Sequence, residues 1–428
     1  MPPYRSALPT WLNNAYTESH IGLALRILAE RESRRENIRS ICQSRVRASL
    51  ASSSSLKTSS PCSPGGSVPT SHLEHYSMAA AHQVPNLPRN RYTDVVPYDR
   101  TRVIVESGSA AGRYLNANWV LERHGHKWWI ATQAPLPTTT HTFLSLIMHP
   151  IPNPARLLGT SHTPRHEGSL PSHDTTRIRT VVQLTKNFEG GRMKAHPYFP
   201  TEVGQSVIVP PDPGLSVPAL KVTLLCTKNH EDAQCLQSTV AISPVDLTST
   251  LQTATPSEMN GDESYRSEED HDKRVIFQHL MYTAWPDHGV PGDEDRTSLL
   301  AFLKLVDRSN RDPSFCSYPP TIEPPSCQRQ CDPDPPILVG CSAGIGRTGS
   351  FIALSSLLRH GGFLPSAATP TPTSAIPPSP LGTLPRALIG DLVVEEIDSL
   401  REQRPRMVER PEQTLLIYEL LIRAFQGA

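Results

Sequence analysis

The sequence predicts an α/β fold in which a sheet is flanked by helices and interrupted by long disordered surface insertions. Three observations carry that reading. From about residue 86 onward, short β-branched and aromatic runs alternate with longer apolar stretches of helical period. The 43 prolines are about twice the ordinary frequency and gather between those runs, where a missing N–H costs no ladder bond. Hydrophobic residues make up 37% of the 428, a little under the globular norm, so part of the chain lies outside any core.

In chain order, residues 1–50 are expected to form an N-terminal helical extension. "TWLNNAYTESHIGLALRILAERESRRENIRSICQSRV" places Leu23, Leu25, Ile27, Leu28, Ile38 and Ile41 near spacings of three and four, with charges between. A peripheral helix packed on the main domain is the first reading, and a separate docking element the alternative. Residues 51–84 open with "ASSSSLKTSSPCSPGGSVPT" and are expected to be a disordered Ser/Pro-rich linker. Residues 85–428 form the main domain, with strands at "RVIV", "YLNANWV", "KWWIAT", "TVVQLT", "KVTLLC", "RVIFQHLMY" and "ILVG". Helices are expected at "TTTHTFLSLIM", "DRTSLLAFLKLV", "SFIALSSLLRH", "DLVVEEIDSLREQR" and "PEQTLLIYELLIRAF". The last begins with Pro411 and Glu412, which suit a helix N-terminus. Insertions are expected near 152–178, 228–272, 308–335 and 361–386, all rich in Pro, Ser, Asp or Gln.

Global chemistry removes several classes of function. Forty-one basic residues balance 41 acidic ones, so no polyanion such as nucleic acid is implied. No apolar run approaches the roughly 18 residues that cross a bilayer, and "MPPYRSALPTWLNN" lacks a secretory h-region. The expectation is a cytoplasmic monomer without membrane attachment. Eight scattered cysteines suit reduced thiols. Cys327 and Cys331 in "CQRQC" have no second ligand pair, so no metal site is expected there.

The stretch "ILVGCSAGIGRTGSF" carries the chemistry. Its apolar start reads as a buried strand and "TGSFIALSSLLRH" as a helix, so residues 341–347 form the turn between them. Successive N–H groups of Ser342, Ala343, Gly344, Ile345 and Gly346 then face one point, and the helix dipole adds positive potential. This is an anion cradle of phosphate size. It favours the thiolate of Cys341, to which the Thr348 hydroxyl is expected to donate. Arg347 is expected to grip two phosphate oxygens through its planar fork. A thiolate beneath a phosphate is placed for in-line attack on phosphorus. The alternative is a structural thiol at a strand end, which would need neither the glycines nor the arginine.

Such a reaction needs an acid for the leaving oxygen. "YTAWPDHGVP" offers Asp287 on a loop between Trp285, Pro286 and Gly289, suited to closing over a ligand.

Together these segments resemble the protein tyrosine phosphatase family, in its phosphotyrosine-specific branch, from about residue 88 to 424. "CSAGIGRTG" is similar to that family's phosphate-binding loop, and "WPDHGVP" to its general-acid loop. "RNRYTDVVPYDRTRV" resembles its phosphotyrosine-recognition segment. "YLNAN", "IATQAPLP" and "FEGGRMKAHPYFP" resemble further framework motifs, and "QRPRMVERPEQ" the segment that positions the hydrolytic water. The resemblance implies a central twisted mixed sheet covered by helices and a mechanism needing neither metal nor cofactor. It makes Tyr92 the wall of a deep aromatic slot, with a packed surface aromatic as the alternative. Asp94 becomes the contact to substrate backbone, and Gln413 helps prepare the water. Phosphotyrosine-containing proteins are the implied partners, a mitogen-activated protein kinase among them by family analogy.

Four positions depart from the family pattern. Gly340 stands where a His usually precedes the nucleophile, Glu409 where a Gln helps place water, Ala134 for a Gly and Ala195 for a Cys. The last two read as packing variations. Gly340 should leave thiolate formation weakened but intact, because the cradle and Arg347 supply most of the potential. Glu409 is expected to slow hydrolysis of the phosphocysteine relative to its formation. Three readings stay open: a working tyrosine phosphatase, a weakened one that only captures phosphotyrosine, and a dual-specificity phosphatase.

Overall fold

A computed structural model describes residues 8–52, 68–105, 112–152, 154, 175–245, 274–287, 289–315 and 332–427. Nine strands make one sheet: β1 (Arg102–Val105), β2 (Arg113–Leu121), β3 (Trp128–Gln133), β4 (Thr180–Gln183), β5 (Ser206–Val209), β6 (Ala219–His230), β7 (Cys235–Val245), β8 (Val275–Tyr282) and β9 (Ile337–Cys341). Their spatial order is β1-β2-β3-β9-β4-β8-β7-β6-β5. The middle four, β3, β9, β4 and β8, run parallel, and the flanking pairs are antiparallel. The mixed sheet is therefore as expected.

Every residue of β2 and β3 is buried, as a strand covered on both faces requires. Side chains alternate across the sheet. Ile337 and Val339 join Trp129 and Ala131 in one core, while Leu338 joins Ile130 and Val181 in another. The first core is closed by α5 (Asp293–Arg311), α6 (Gly346–His360), α7 (Leu392–Gln403) and α8 (Pro411–Gln426). The second is closed by α4 (Thr140–Met148) through Phe143, Leu144 and Ile147.

Strands β5 and β7 were not expected. β7 lies inside the span 228–272 read as an insertion, yet its residues 235–245 pair with β6 and residues 235–242 also pair with β8. Polar Gln237, Ser238 and Thr239 hide it in the sequence, but Gln237 and Thr239 bond Gln278 across the sheet. The segment 361–386 is also built in rather than disordered. Leu364 and Ala375 are buried, and the Thr371 hydroxyl accepts from Trp128 Nε1 at 2.9 Å. Of the other expected insertions, most of 152–178 and 308–335, and residues 246–272, lie outside the described residues, as does the Cys327–Cys331 pair.

The N-terminal part consists of α1 (Thr10–Ala15), α2 (Glu18–Ser52) and α3 (Thr70–His75). The expected linker therefore ends earlier than residue 84. Leu73, Tyr76, Met78 and Ala81 are buried with Ile38, Tyr98 and Tyr114, because the Ser/Pro/Gly composition stops at Pro69 and apolar side chains resume. Helix α2 packs on α7 through an unusual face. Beyond Ala24 and Leu28, its buried positions are Arg31, Arg35 and Arg39, four apart, with Ile38 beside them. Arg31 takes both oxygens of Asp398, at 2.8 and 2.9 Å. Arg35 reaches Asp398 at 2.5 Å and Glu402 at 2.6 Å. His75, Tyr76 and Ser379 also bond Glu402, at 2.9, 3.0 and 2.7 Å. Burial alone would raise the Glu402 carboxyl, but His75, Arg35 and Ser379 outweigh it and hold it well below its ordinary range. No helix among the described residues is long and apolar enough to cross a membrane.

Arg35→Ala leaves two buried carboxylates without their shared cation. We expect a loss of about 3–5 kcal/mol in folding stability by urea denaturation, far above the cost of an exposed ion pair.

Candidate active site

The site grows from the middle of the sheet. β9 ends at Cys341 between parallel neighbours β3 and β4, and α6 starts at Gly346, so the connecting turn lies at the carboxyl edge of the sheet, where α/β folds bind ligands. The turn folds tightly on the thiol at its start: the Gly344 N–H donates to Cys341 Sγ at 3.2 Å. Gly344 has φ +72°, and a Cβ there would lie 2.1 Å from the Thr132 carbonyl oxygen, so only glycine fits.

The backs of these peptides are held by Arg404. This fully buried guanidinium donates to Gly344 O at 2.7 Å and Ala343 O at 3.1 Å. Its other two bonds go to Asn118 Oδ1 and Asn116 Oδ1, at 2.8 and 3.0 Å. Because C=O and N–H point opposite ways in a trans peptide, fixing the Ala343 carbonyl aims the Gly344 N–H at the sulfur. Burial pulls Arg404 down to about 10, with Tyr114 and Cys341 acting against it.

Around the turn lies a pocket of about 280 Å³, near the lower end of ligand clefts (~300–1,000 Å³). Tyr92, Asp287, Cys341, Arg347, Glu409 and Gln413 are among its lining residues. Tyr92 Oη is 2.8 Å from Ser342 Oγ, which also donates to Lys194 O at 2.9 Å, so the ring stands against the phosphate-sized turn. Trp285 is buried and donates Nε1 to Gly289 O at 3.4 Å, anchoring the loop that bears Asp287. Asp287 Oδ1 is 2.6 Å from Lys194 Nζ and 3.9 Å from Arg347. Gln413 is buried beside Gly346 and accepts from the Arg410 N–H at 3.2 Å, capping α8.

The structure brings Cys341, Ser342, Ala343, Ile345, Gly346, Arg347, Tyr92, Asp94, Asp287 and Gln413 to one pocket, with Gly344 in its floor. Two expectations need correction. Thr348 does not donate to the sulfur: its hydroxyl is buried and makes no hydrogen bond, and the sulfur takes the Gly344 N–H instead. The Arg347 fork is not open either. Glu189 holds it with two bonds of 2.8 Å, and Nη2 also donates to Pro286 O at 2.8 Å, tying the arginine to the Asp287 loop. Asp94 likewise has a partner, accepting from Arg406 at 2.7 Å.

A profile for the family described as Protein-tyrosine phosphatase matches residues 86–150 and 174–361. The chain belongs to the protein-tyrosine phosphatase family. It is 27% identical to receptor-type tyrosine-protein phosphatase eta of Homo sapiens over 280 residues, which are 65% of this chain and 15% of that protein. It is 27% identical to tyrosine-protein phosphatase 1 of Caenorhabditis elegans over 353 residues, 82% of this chain and 24% of that one. The chain thus spans a quarter or less of the length of these relatives. A crystal structure of the catalytic domain of human protein tyrosine phosphatase non-receptor type 18 aligns with a TM-score of 0.49 and 23% identity, covering 82% of this chain and 88% of that one.

Within this phosphatase-family site, the sequence reading missed Glu189, Lys194, Arg404 and Arg406. All four lie inside segments already recognised as framework, "FEGGRMKAHPYFP" and "QRPRMVERPEQ", but their partners are set by tertiary folding. Gly340 also gains a reason. A Cβ there would lie 2.7 Å from the Thr132 backbone oxygen on β3, so a side chain would push the two strands apart. We expect Gly340→Ala to cost about 1–3 kcal/mol in thermal or chemical unfolding. Gly340→His should be worse still and should not raise activity, which steady-state assays on the variant will check.

Proposed function

We propose that this chain hydrolyses phosphotyrosine in proteins through a phosphocysteine intermediate. The observation that carries the reading is the joining, in one small pocket, of a thiol that accepts the Gly344 N–H with Arg347, Asp287 and Tyr92 from separate segments. In the first step the Cys341 thiolate attacks phosphorus and the bond to the tyrosine oxygen breaks. Asp287 donates its proton to that leaving oxygen. In the second step water attacks the phosphocysteine, Asp287 takes the water's proton, and phosphate leaves with Cys341 again a thiolate.

The phosphate is received by the backbone N–H groups of Ser342 to Gly346 and by Arg347. Glu189 pre-orients the guanidinium, so little side-chain freedom is lost when phosphate arrives. The two N–H groups of Nη2 are held by Glu189 Oε2 and Pro286 O, so an arriving phosphate takes the one from Glu189 and leaves the other on Pro286 O, which couples phosphate arrival to the position of the Asp287 loop. Lys194, 2.6 Å from Asp287, holds the carboxylate at the pocket, and Asp287 carries its proton to the leaving oxygen once that contact has opened. Tyr92 beside Ser342 sets the depth: a phenyl ring reaches the floor, and the shorter phosphoserine and phosphothreonine do not. Gln413 orients the water. A reducing, cytoplasmic setting, a monomeric state and a mitogen-activated kinase as partner belong to the same proposal. The reaction needs a reduced Cys341, and Cys42, Cys226, Cys235 and Cys341 are all free thiols.

With para-nitrophenyl phosphate, Cys341→Ser should show no turnover. Asp287→Ala should lose about 10²–10⁴ in kcat with far less change in KM. Wild-type protein that binds phosphotyrosine peptide without turnover would make the chain a binding module. Equal rates on phosphothreonine peptides would make it dual-specific.

A further inference from the structure

The chain between α7 and α8 passes through two residues in the left-handed region, Arg406 at φ +59° and Val408 at φ +55°. Side chains rarely adopt it, so the surroundings must impose this path. Arg401 does so by donating to Met407 O at 2.9 Å and Val408 O at 2.7 Å, and Val408 N–H donates to Ile345 O at 3.2 Å. The result is that Arg406 lines a cleft next to the active-site pocket and reaches residues of that pocket's wall. Its Nη1 donates to Asp94 Oδ2 at 2.7 Å and its Nη2 to Glu409 Oε1 at 3.1 Å. Asp94 and Glu409 both line the pocket that holds Cys341, so one guanidinium clasps two carboxylates at the mouth of an anion site.

We infer that Arg406 is a positioning residue that holds the Glu409 carboxylate at the rim and cancels its charge toward an incoming phosphate. The inference rests on the hydrolase reading above. A carboxylate at this place repels a phosphate dianion if it is free to turn inward, and Asp94 adds to that field. Paired through Arg406, the two carboxylates present a net charge of one rather than two, and Glu409 is drawn away from the floor. The side chains of Arg406 and Glu409 are 31% and 34% exposed, so their pair contributes little to stability. Its effect belongs to ligand binding.

The left-handed φ supplies a clean variant, because glycine accepts that conformation without strain. Arg406→Gly therefore removes the guanidinium and leaves the turn. Calorimetry with inorganic phosphate should show affinity weakened on the order of tenfold. Steady-state assays with para-nitrophenyl phosphate should show KM rising by a similar factor while kcat changes far less. Adding Glu409→Gln to Arg406→Gly should restore both values, and Arg406→Lys should keep most of them. Unchanged phosphate affinity in Arg406→Gly, or a double variant as weak as the single one, overturns the inference. If Arg406→Gly does not fold, Arg406→Asn, which also tolerates the left-handed region, is read by the same two outcomes. A wild-type protein that binds phosphate with this Arg406 dependence but never releases para-nitrophenol overturns the hydrolase reading and leaves the role of Arg406 standing.

Discussion

The site depends on one buried cation. Arg404 has no solvent exposure, and its four acceptors, two carbonyls of the phosphate-sized turn and two asparagine side chains, are all neutral. Leaving those carbonyls unpaired would cost about 1–3 kcal/mol each, and the turn would be free to rotate its N–H groups off the sulfur. With the guanidinium in place the peptides have one orientation, and a full positive charge lies behind them in a region of low dielectric. The anion cradle is thus a property of the loop and of the residue that grips it from behind.

Arg404 is placed in turn by the end of α7, and α7 is gripped by the N-terminal helix α2. Asp398 and Glu402 lie within six residues of Arg404 on the chain and take Arg31 and Arg35 in buried pairs. Thr101 donates to the Gln403 carbonyl at 2.6 Å, and Arg100 to that of Glu402. The N-terminal extension is therefore part of the frame that holds the phosphate loop. Ion pairs buried this deeply fix a unique geometry more than they add stability, since their desolvation offsets much of the attraction.

This explains what was legible in the sequence. The strand, turn and helix around Cys341 could be read because their signals are local: an apolar run, closely spaced glycines, then a helical period. The Asp287 loop and the Tyr92 segment were legible as motifs for the same reason. The seat of α2 was not, because hydrophobic periodicity finds only apolar faces, and half of this face is arginine. Arg31, Arg35 and Arg39 look like solvated charges until Asp398 and Glu402 appear opposite them. β7 was hidden by polar residues that are satisfied only across the sheet. Glu189 and Lys194 needed the fold to bring their loop against Arg347 and Asp287.

The departures from the family pattern follow the same logic. Gly340 read as a weakening of thiolate formation, yet the strand pairing accounts for it, because a Cβ there would lie 2.7 Å from the Thr132 carbonyl and force β3 and β9 apart. The thiol is then served by the cradle, with the Gly344 N–H as its direct donor. Glu409 looked like a charge of the wrong sign, yet it is accompanied by Arg406, an arginine in a conformation that suits glycine better. A left-handed arginine beside a misplaced carboxylate makes sense only if the two act together. Neither residue can be judged alone, since each unusual choice is met by a contact three residues away or on the adjoining strand.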